Sequence, residues 1–404
     1  MIHTVNGSAD PEFRPIVKVF QKQLEASGGG AALCVYHKGE PVIDIWAGQR
    51  TSMGDPWLKD TPAMSFSVTK GVLATMLHII MDRTQLDYET QASSIWPSFK
   101  QNNKGHLTIR QFLCHEAGLF SLEDNIDHIH DIFDWDQMVW RIAKAKPAMN
   151  HLGEPSYHAV TYGWLLGELI NRLTGQKPGE FLNAELRSVM GRNNFIGVPE
   201  KNLKDVAFIY QHPDQAPVQL GWKQKMSKYI NKGIQNAFFH SPFTASALKP
   251  PTAELLDFNN PELLKAQVPA MNGVFTARGL GKLYNAIITP DEKNERLIST
   301  KRLEQVQVIQ SHGRDKIIHV PMNWRLGYHR VLNMKTRAPQ GFGHYGYGGA
   351  GAWCDPSRQL AVGFTHNALW NTPLGDYRMT QLSGEILSLI DKITAKENRD
   401  QFFL

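Results

Sequence analysis

The chain has 404 residues, 42% hydrophobic and 20% charged, with a net charge of +5 spread over 43 basic and 38 acidic side chains. That length holds one large domain or two ordinary ones, and no run of five like charges marks it for nucleic acid. Three scattered cysteines, Cys34, Cys114 and Cys354, make no disulfide framework and set a reducing, cytoplasmic location as the expectation.

The opening "MIHTVNGSADPEFRP" has no basic segment followed by an apolar core, so no secretory leader is expected. "AALCVYHKGEPVIDIWAG" (31–48) reads as two strands turned at "HKGE", because Ala32, Cys34 and Tyr36 alternate with Leu33, Val35 and His37. "MSFSVTKGVLATMLHIIMDR" (64–83) predicts a helix, with Ser65 as N-cap and Leu73, Leu77, Ile80 and Met81 on a buried face. Its apolar stretch, Val72 to Met81, contains His78 and is too short for a bilayer span, so no membrane partner is expected.

"LTIRQFLCHEAGL" (107–119) predicts a short helix ended by Gly118. "TYGWLLGELINRLTG" (161–175) predicts a helix with a terminal glycine, and "FTARGLGKLYNAII" (275–288) one capped at Thr276. "NAFFHSPFTASALKPP" (236–251) reads as a loop or lid. Strand signals return in "WRLGYHRV", "GFGHYGYGG" and "AWCDPSRQLAVGFTHN", the last a hairpin turned at "DPSR", and a helix over about 378–395 closes the chain. Strands at both ends around a helical middle predict an α+β fold, an antiparallel sheet built from both termini and flanked by helices. The expected division is 1–84 plus 321–404 as the sheet domain and 85–320 as an inserted, mainly helical domain, with the active site at their interface.

Ser67 and Lys70 are three apart at a helix start, which places the amine beside the hydroxyl. A serine becomes nucleophilic once a base takes its proton, and a lysine is a base once burial or a neighbouring cation lowers its pKa. Free N–H groups at the helix start add an oxyanion site. A capping serine and a solvated lysine are the ordinary alternative. The pattern is cheap, since Ser246 and Lys249 repeat it, although Pro250 and Pro251 stop that copy from opening a helix. Tyr157 stands before the 161–175 helix, where it can shuttle a proton or merely pack. "GFGHYGYGGAG" (341–351) is either a strand lying beside a bound acyl group or a sheet edge that needs glycine for a bulge.

In this order the three elements resemble the serine beta-lactamase and penicillin-binding-protein superfamily, whose signature includes Ser-x-x-Lys. The resemblance is strongest to class C beta-lactamase-like esterases (family VIII carboxylesterases) and covers most of the chain. It implies a beta-lactamase/transpeptidase-like fold, Ser67 as the acylated serine, Lys70 as the motif lysine and Tyr157 as the tyrosine of Tyr-x-Asn. It also implies an oxyanion hole from the Ser67 and Tyr347 N–H groups. His344-Tyr345-Gly346 takes the place of Lys-Thr-Gly, and Ala159 that of the asparagine, so His344, Tyr345, Gly346 and Ala159 are the expected substrate contacts. Losing the asparagine amide, the lysine cation and the threonine hydroxyl argues against a carboxylate-reading beta-lactamase or D-amino acid peptidase. A small neutral ester of short to medium acyl chain is the expected substrate, with no cofactor or metal. Acyl transfer, or a catalytically inactive binding protein on the same fold, are the alternatives.

Other clusters carry less. His128, His130 and Asp131 lack the rest of a metal motif, and His115-Glu116 lacks the second histidine of a zinc helix, so His115 is expected to fix a loop. Cys114 is adjacent to His115 and so does not face it on a helix. No Gly-x-Ser-x-Gly elbow is present. Trp135, Trp140, Phe238, Phe239 and Phe243 read as core or lid packing rather than an acyl pocket, and Asn272 and Arg278 as the site's border.

Overall fold

The computed structural model describes residues 4–211, 255–292, 295–369 and 376–402, together with 247 and 252. Strands β1 (Asn6–Ala9), β2 (Gly30–His37) and β3 (Glu40–Gly48) come from the N-terminal part. β7 (His329–Arg330), β8 (Phe342–Tyr345), β9 (Gly351–Asp355) and β10 (Leu360–His366) come from the C-terminal part. They form one sheet in the order β1-β3-β2-β10-β9-β8-β7, antiparallel throughout. The two halves meet at the β2–β10 pairing, where His37 faces Leu360 and Ala31 faces His366. Lys38 and Gly39, with φ of 54° and 86°, make the tight turn between β2 and β3 that matches the right-handed strand twist. The terminal-strand sheet expected from the sequence is therefore present.

Strand alternation sorts the core into two layers. Leu33, Val35, Ile43, Ile45, Val362 and Phe364 face helix α1 (Arg14–Ser27) and the C-terminal helix Arg378–Phe402. Cys34 on the other face meets the helix Ala277–Ile288, which comes close because the contacts are small: a Cβ at Gly281 would lie 3.2 Å from the Cys34 sulfur. Thr276 caps that helix through the Gly279 N–H at 2.9 Å, as expected. This helix lies inside the 85–320 span and packs directly on the sheet.

The helical side has its own expected elements. Tyr162–Thr174 ends at Gly175 with φ 74°, while the helix after Thr108 is only Ile109–Leu113, capped reciprocally by Thr108 and Gln111. A second small sheet runs β4 (Ala63–Met64), β6 (Gly273–Phe275), β5 (Phe195–Ile196).

Helix α2 (Val68–Thr84) sits between the sheet and the helical region. Every residue from Val68 to Met81 is buried, not just the expected apolar face, so the helix is a core helix surrounded by protein. Its interior polar groups are paired. Thr75 bonds Gly71 O and Tyr328 Oη, both at 2.8 Å. His78 Nε2 donates to Leu326 O at 2.9 Å, leaving Nδ1 to accept from Tyr88 Oη at 3.1 Å. Among the described residues no helix is long and apolar enough to cross a membrane.

Candidate active site

The turn from β4 into α2 sets the first side chain. Phe66 has φ 49°, a left-handed conformation unusual for an aromatic residue. The next residue, Ser67, occupies the N-cap position, but its hydroxyl accepts no capping bond from the helix. Ser65, the expected cap, instead donates its hydroxyl to Ala63 O at 2.9 Å. The reason is geometric: the helix starts two residues later than the hydroxyl pattern implied, so Ser65 falls in the turn just after β4, where its carbonyl accepts from Val68 N at 3.2 Å.

Ser67 Oγ is free for other partners and has two. Lys70 Nζ lies 3.0 Å away and Tyr157 Oη 2.8 Å away. The other two contacts of Lys70 are backbone carbonyls, Ala159 O at 2.6 Å and Ala270 O at 2.9 Å. Lys70 is fully buried with no carboxylate among these contacts, and burial pushes its pKa well below the usual lysine value. Two of the amine's contacts are thus carbonyls, and the third is the Ser67 hydroxyl. Burial likewise raises the Tyr157 phenol, keeping it a donor toward Ser67 Oγ.

The loop carrying Tyr157 is tied at each successive amide. Ser156 N donates to His115 O at 2.9 Å, Tyr157 N to Asp315 Oδ1 at 3.2 Å, and His158 N to His115 Nδ1 at 3.1 Å. His115 thus fixes a loop, as expected, and its own φ of 61° is held by that work. Its ring packs among Tyr157, His158, Tyr162 and Trp324 at 4.3–5.0 Å, His158 at 5.6 Å. Asn272 borders the site indirectly: its amide donates to Leu263 O and Ala266 O and accepts from Val268 N, shaping the loop that presents Ala270 O. Arg278 does not border it. Two carboxylates, Asp44 and Asp60, take up its guanidinium at 2.5 and 2.6 Å.

Strand β8 supplies the opposite wall. Gly346 lies against the Ser65 carbonyl, where any Cβ would collide with that oxygen. The following ring, Tyr347, meets the edge of Phe66 at 5.6 Å. Among the described residues the Ser67 and Tyr347 N–H groups donate to no acceptor. His344 points to the site side of the strand, its Nδ1 donating to Tyr345 O at 2.9 Å. Burial first, then the His329 and Lys70 charges, hold its pKa well below the usual value, so the imidazole is neutral. Tyr345 corrects the expectation. Strand alternation turns it to the other face, where its hydroxyl meets Leu332 O and Ser383 Oγ at 2.9 and 2.7 Å, away from Ser67. Ala159 contributes its carbonyl, while its methyl packs with Phe120, Tyr157 and Trp324.

Two residues near Tyr157 had no motif to announce them, Asp315 and Trp324. Trp324 stacks on the Tyr157 ring with centroids 5.6 Å apart and planes 6° apart, and donates Nε1–H to Asp315 Oδ2 at 3.0 Å. The remaining candidates lie elsewhere. His128 Nδ1 accepts from His130 N in a helix start, and among the described residues no three His, Cys, Asp or Glu side chains form a metal cluster. Cys114 is a buried thiol, raised by burial, near Arg325 O. Trp135 is core, and Trp140 is exposed beneath the Lys144 ammonium at 3.9 Å. Phe238, Phe239, Phe243 and the Ser246 to Lys249 repeat lie outside the described residues apart from Ala247.

The Beta-lactamase family model matches residues 16–380. The chain belongs to the beta-lactamase family. It is 33% identical over 377 residues to Esterase/beta-lactamase LipL of Mycobacterium tuberculosis, covering 90% of this chain and 83% of that protein. The fold is similar to a crystal structure of a family VIII carboxylesterase, with TM-score 0.80 and 26% identity over 96% of this chain and 100% of the other. It is also similar to a penicillin-binding-protein homologue from Caulobacter crescentus, with TM-score 0.78 and 28% identity over the same shares. This member of the family is therefore a hydrolase, with esterase-named relatives.

Proposed function

We propose that the protein is a serine carboxylesterase that works through a Ser67 acyl-enzyme on short to medium acyl chains. The observation that carries this reading is one oxygen with two partners: Ser67 Oγ between the Lys70 amine at 3.0 Å and the Tyr157 hydroxyl at 2.8 Å. The opposite pKa directions of those partners divide their labour, Lys70 as proton acceptor and Tyr157 as proton donor. Ser67 Oγ bonds to the ester carbonyl carbon as its proton passes to Lys70. The resulting oxyanion is held by the free Ser67 and Tyr347 N–H groups. Collapse breaks the carbon–alkoxy bond, and the alcohol leaves with the Tyr157 proton, which Lys70 restores. Water then gives a proton to the same pair, attacks the acyl carbon and releases the acid and Ser67.

A neutral His344 and a methyl at Ala159 offer no cation and no side-chain amide, which favours a neutral ester over a carboxylate-bearing lactam. Beta-lactam hydrolysis is the second reading, favoured by the double name of the Mycobacterium tuberculosis relative. The free, buried cysteines fit a cytoplasmic location, and we keep the site at the junction of a sheet unit (1–84 plus 321–404) and a helical unit (85–320). The test is turnover of p-nitrophenyl butyrate and a chromogenic cephalosporin by wild type and Ser67→Ala. Ester turnover abolished by the substitution, with the cephalosporin much slower, is the expected result. A faster cephalosporin reverses the substrate reading, and full ester activity in Ser67→Ala removes the nucleophile.

A further inference from the structure

Resting on that esterase reading, we propose that Asp315 and Trp324 are positioning residues that clamp Tyr157 as the proton donor of the reaction. The clamp grips from two sides. One carboxylate oxygen, Asp315 Oδ1, takes the Tyr157 backbone N–H at 3.2 Å, and the other, Oδ2, takes the Trp324 indole N–H at 3.0 Å. Trp324 then lies flat on the Tyr157 ring. One carboxylate thus bonds both the tyrosine's backbone and the indole stacked on its ring.

The carboxylate is itself immobile. Ile317 N and Ile318 N also donate to Oδ1, at 2.9 and 3.1 Å, so four N–H groups surround a residue that is 1% exposed. No cation is among these partners. Burial pushes its own pKa above the usual carboxylate value while the four N–H bonds pull it back, and its charge adds to burial in keeping the Tyr157 proton in place. Burying a carboxylate on four neutral donors is a costly way to hold a loop that His115 already ties on both flanks. A neutral side chain fills a purely structural need at less cost. The charge points to a role in the chemistry of Tyr157.

Asp315→Asn and the pair Trp324→Phe and Trp324→Ala test this in the full-length protein with p-nitrophenyl butyrate. In Asp315→Asn, kcat is expected to fall roughly tenfold to a hundredfold with KM little changed, as for a misplaced catalytic group. Its alkaline loss of kcat moves to lower pH, because the phenol gives up its proton more readily once the neighbouring charge is gone. Trp324→Phe, which keeps the ring but not the N–H, retains most of the activity that Trp324→Ala loses. A uniform fall at every pH, or equal losses for Phe and Ala, overturns the clamp and leaves a structural residue. If Asp315→Asn fails to fold, the Trp324 pair decides alone. Wild-type turnover that survives Ser67→Ala sinks the esterase reading instead, so the two failures are separable.

Discussion

Two buried lysines make opposite use of the same kind of pocket. Lys104 donates to three carbonyls, Gln101 O at 3.0 Å, Ala143 O at 2.9 Å and Ala145 O at 2.7 Å, and sits over the Phe99 ring. Lys70 donates to two carbonyls, sits over the Tyr157 ring, and faces a hydroxyl in third place. The carbonyls around Lys104 include the free end of the helix Trp135–Lys144, the negative end of its dipole. Lys70 lies in the first turn of α2, the positive end. Burial lowers Lys104 only to about 8, so it stays an ammonium at neutral pH and works as a cap, whereas Lys70 goes well below its usual value. A carbonyl accepts and never donates, while a hydroxyl does both. The proposed division between a structural cation and a base rests on that one exchange, with the reversed helix end and the burial that lowers Lys70 further.

Exchanging the two lysines' fates is the hardest test of the contrast. Lys70→Met is expected to lower kcat/KM for p-nitrophenyl butyrate by roughly 10²–10⁴-fold, while the variant keeps a cooperative thermal transition. Lys104→Met is expected to do the reverse. Stability falls by about 2 kcal/mol as three carbonyls lose their donor, and kcat/KM stays within about twofold of wild type. Urea unfolding and steady-state kinetics on both variants check the pair, and equal losses of activity would erase the distinction.

The two lysines also respond differently to pH. Ester turnover is expected to rise with pH through an ionisation below the ordinary lysine range, because only the neutral Lys70 accepts the Ser67 proton. A flat profile contradicts a titrating base. For Lys104 the readout is stability. Between about 8 and its ordinary value of 10.5 the folded state has shed a proton that the unfolded chain still holds, so stability climbs with pH across that window and is lost again as pH falls through about 8. The climb should be smaller in Lys104→Met, the least of these effects, measured by urea unfolding at pH 7.5 and 9.5.

The contrast also marks what the sequence could tell. Ser67 and Lys70 were legible because both lie on one turn of one helix, and the flanking hairpins because strand alternation and turn residues are local. Tyr157 was carried by resemblance rather than by its own spacing. The carbonyls that hold Lys70 are main-chain oxygens, contributed by Ala159 and Ala270, which leave no signature in residue type. Asp315 is 158 positions from Tyr157, and an aspartate in "HGRDKIIHV" has no pattern to mark it. Tyr345 was misplaced because a motif match ignores which face of the strand a side chain takes. Arg278 was misplaced because its partners, Asp44 and Asp60, come from distant loops and strands.

The claim that Lys70 is the base for Ser67 is tested most directly by labelling with a p-nitrophenyl alkylphosphonate. Intact-mass and peptide mapping follow the adduct across pH in wild type and Lys70→Met. The account predicts one adduct on Ser67, formed faster as pH rises, and formed far more slowly without the lysine amine. An adduct on another residue, or a Ser67 labelling rate that Lys70→Met leaves unchanged, would contradict it.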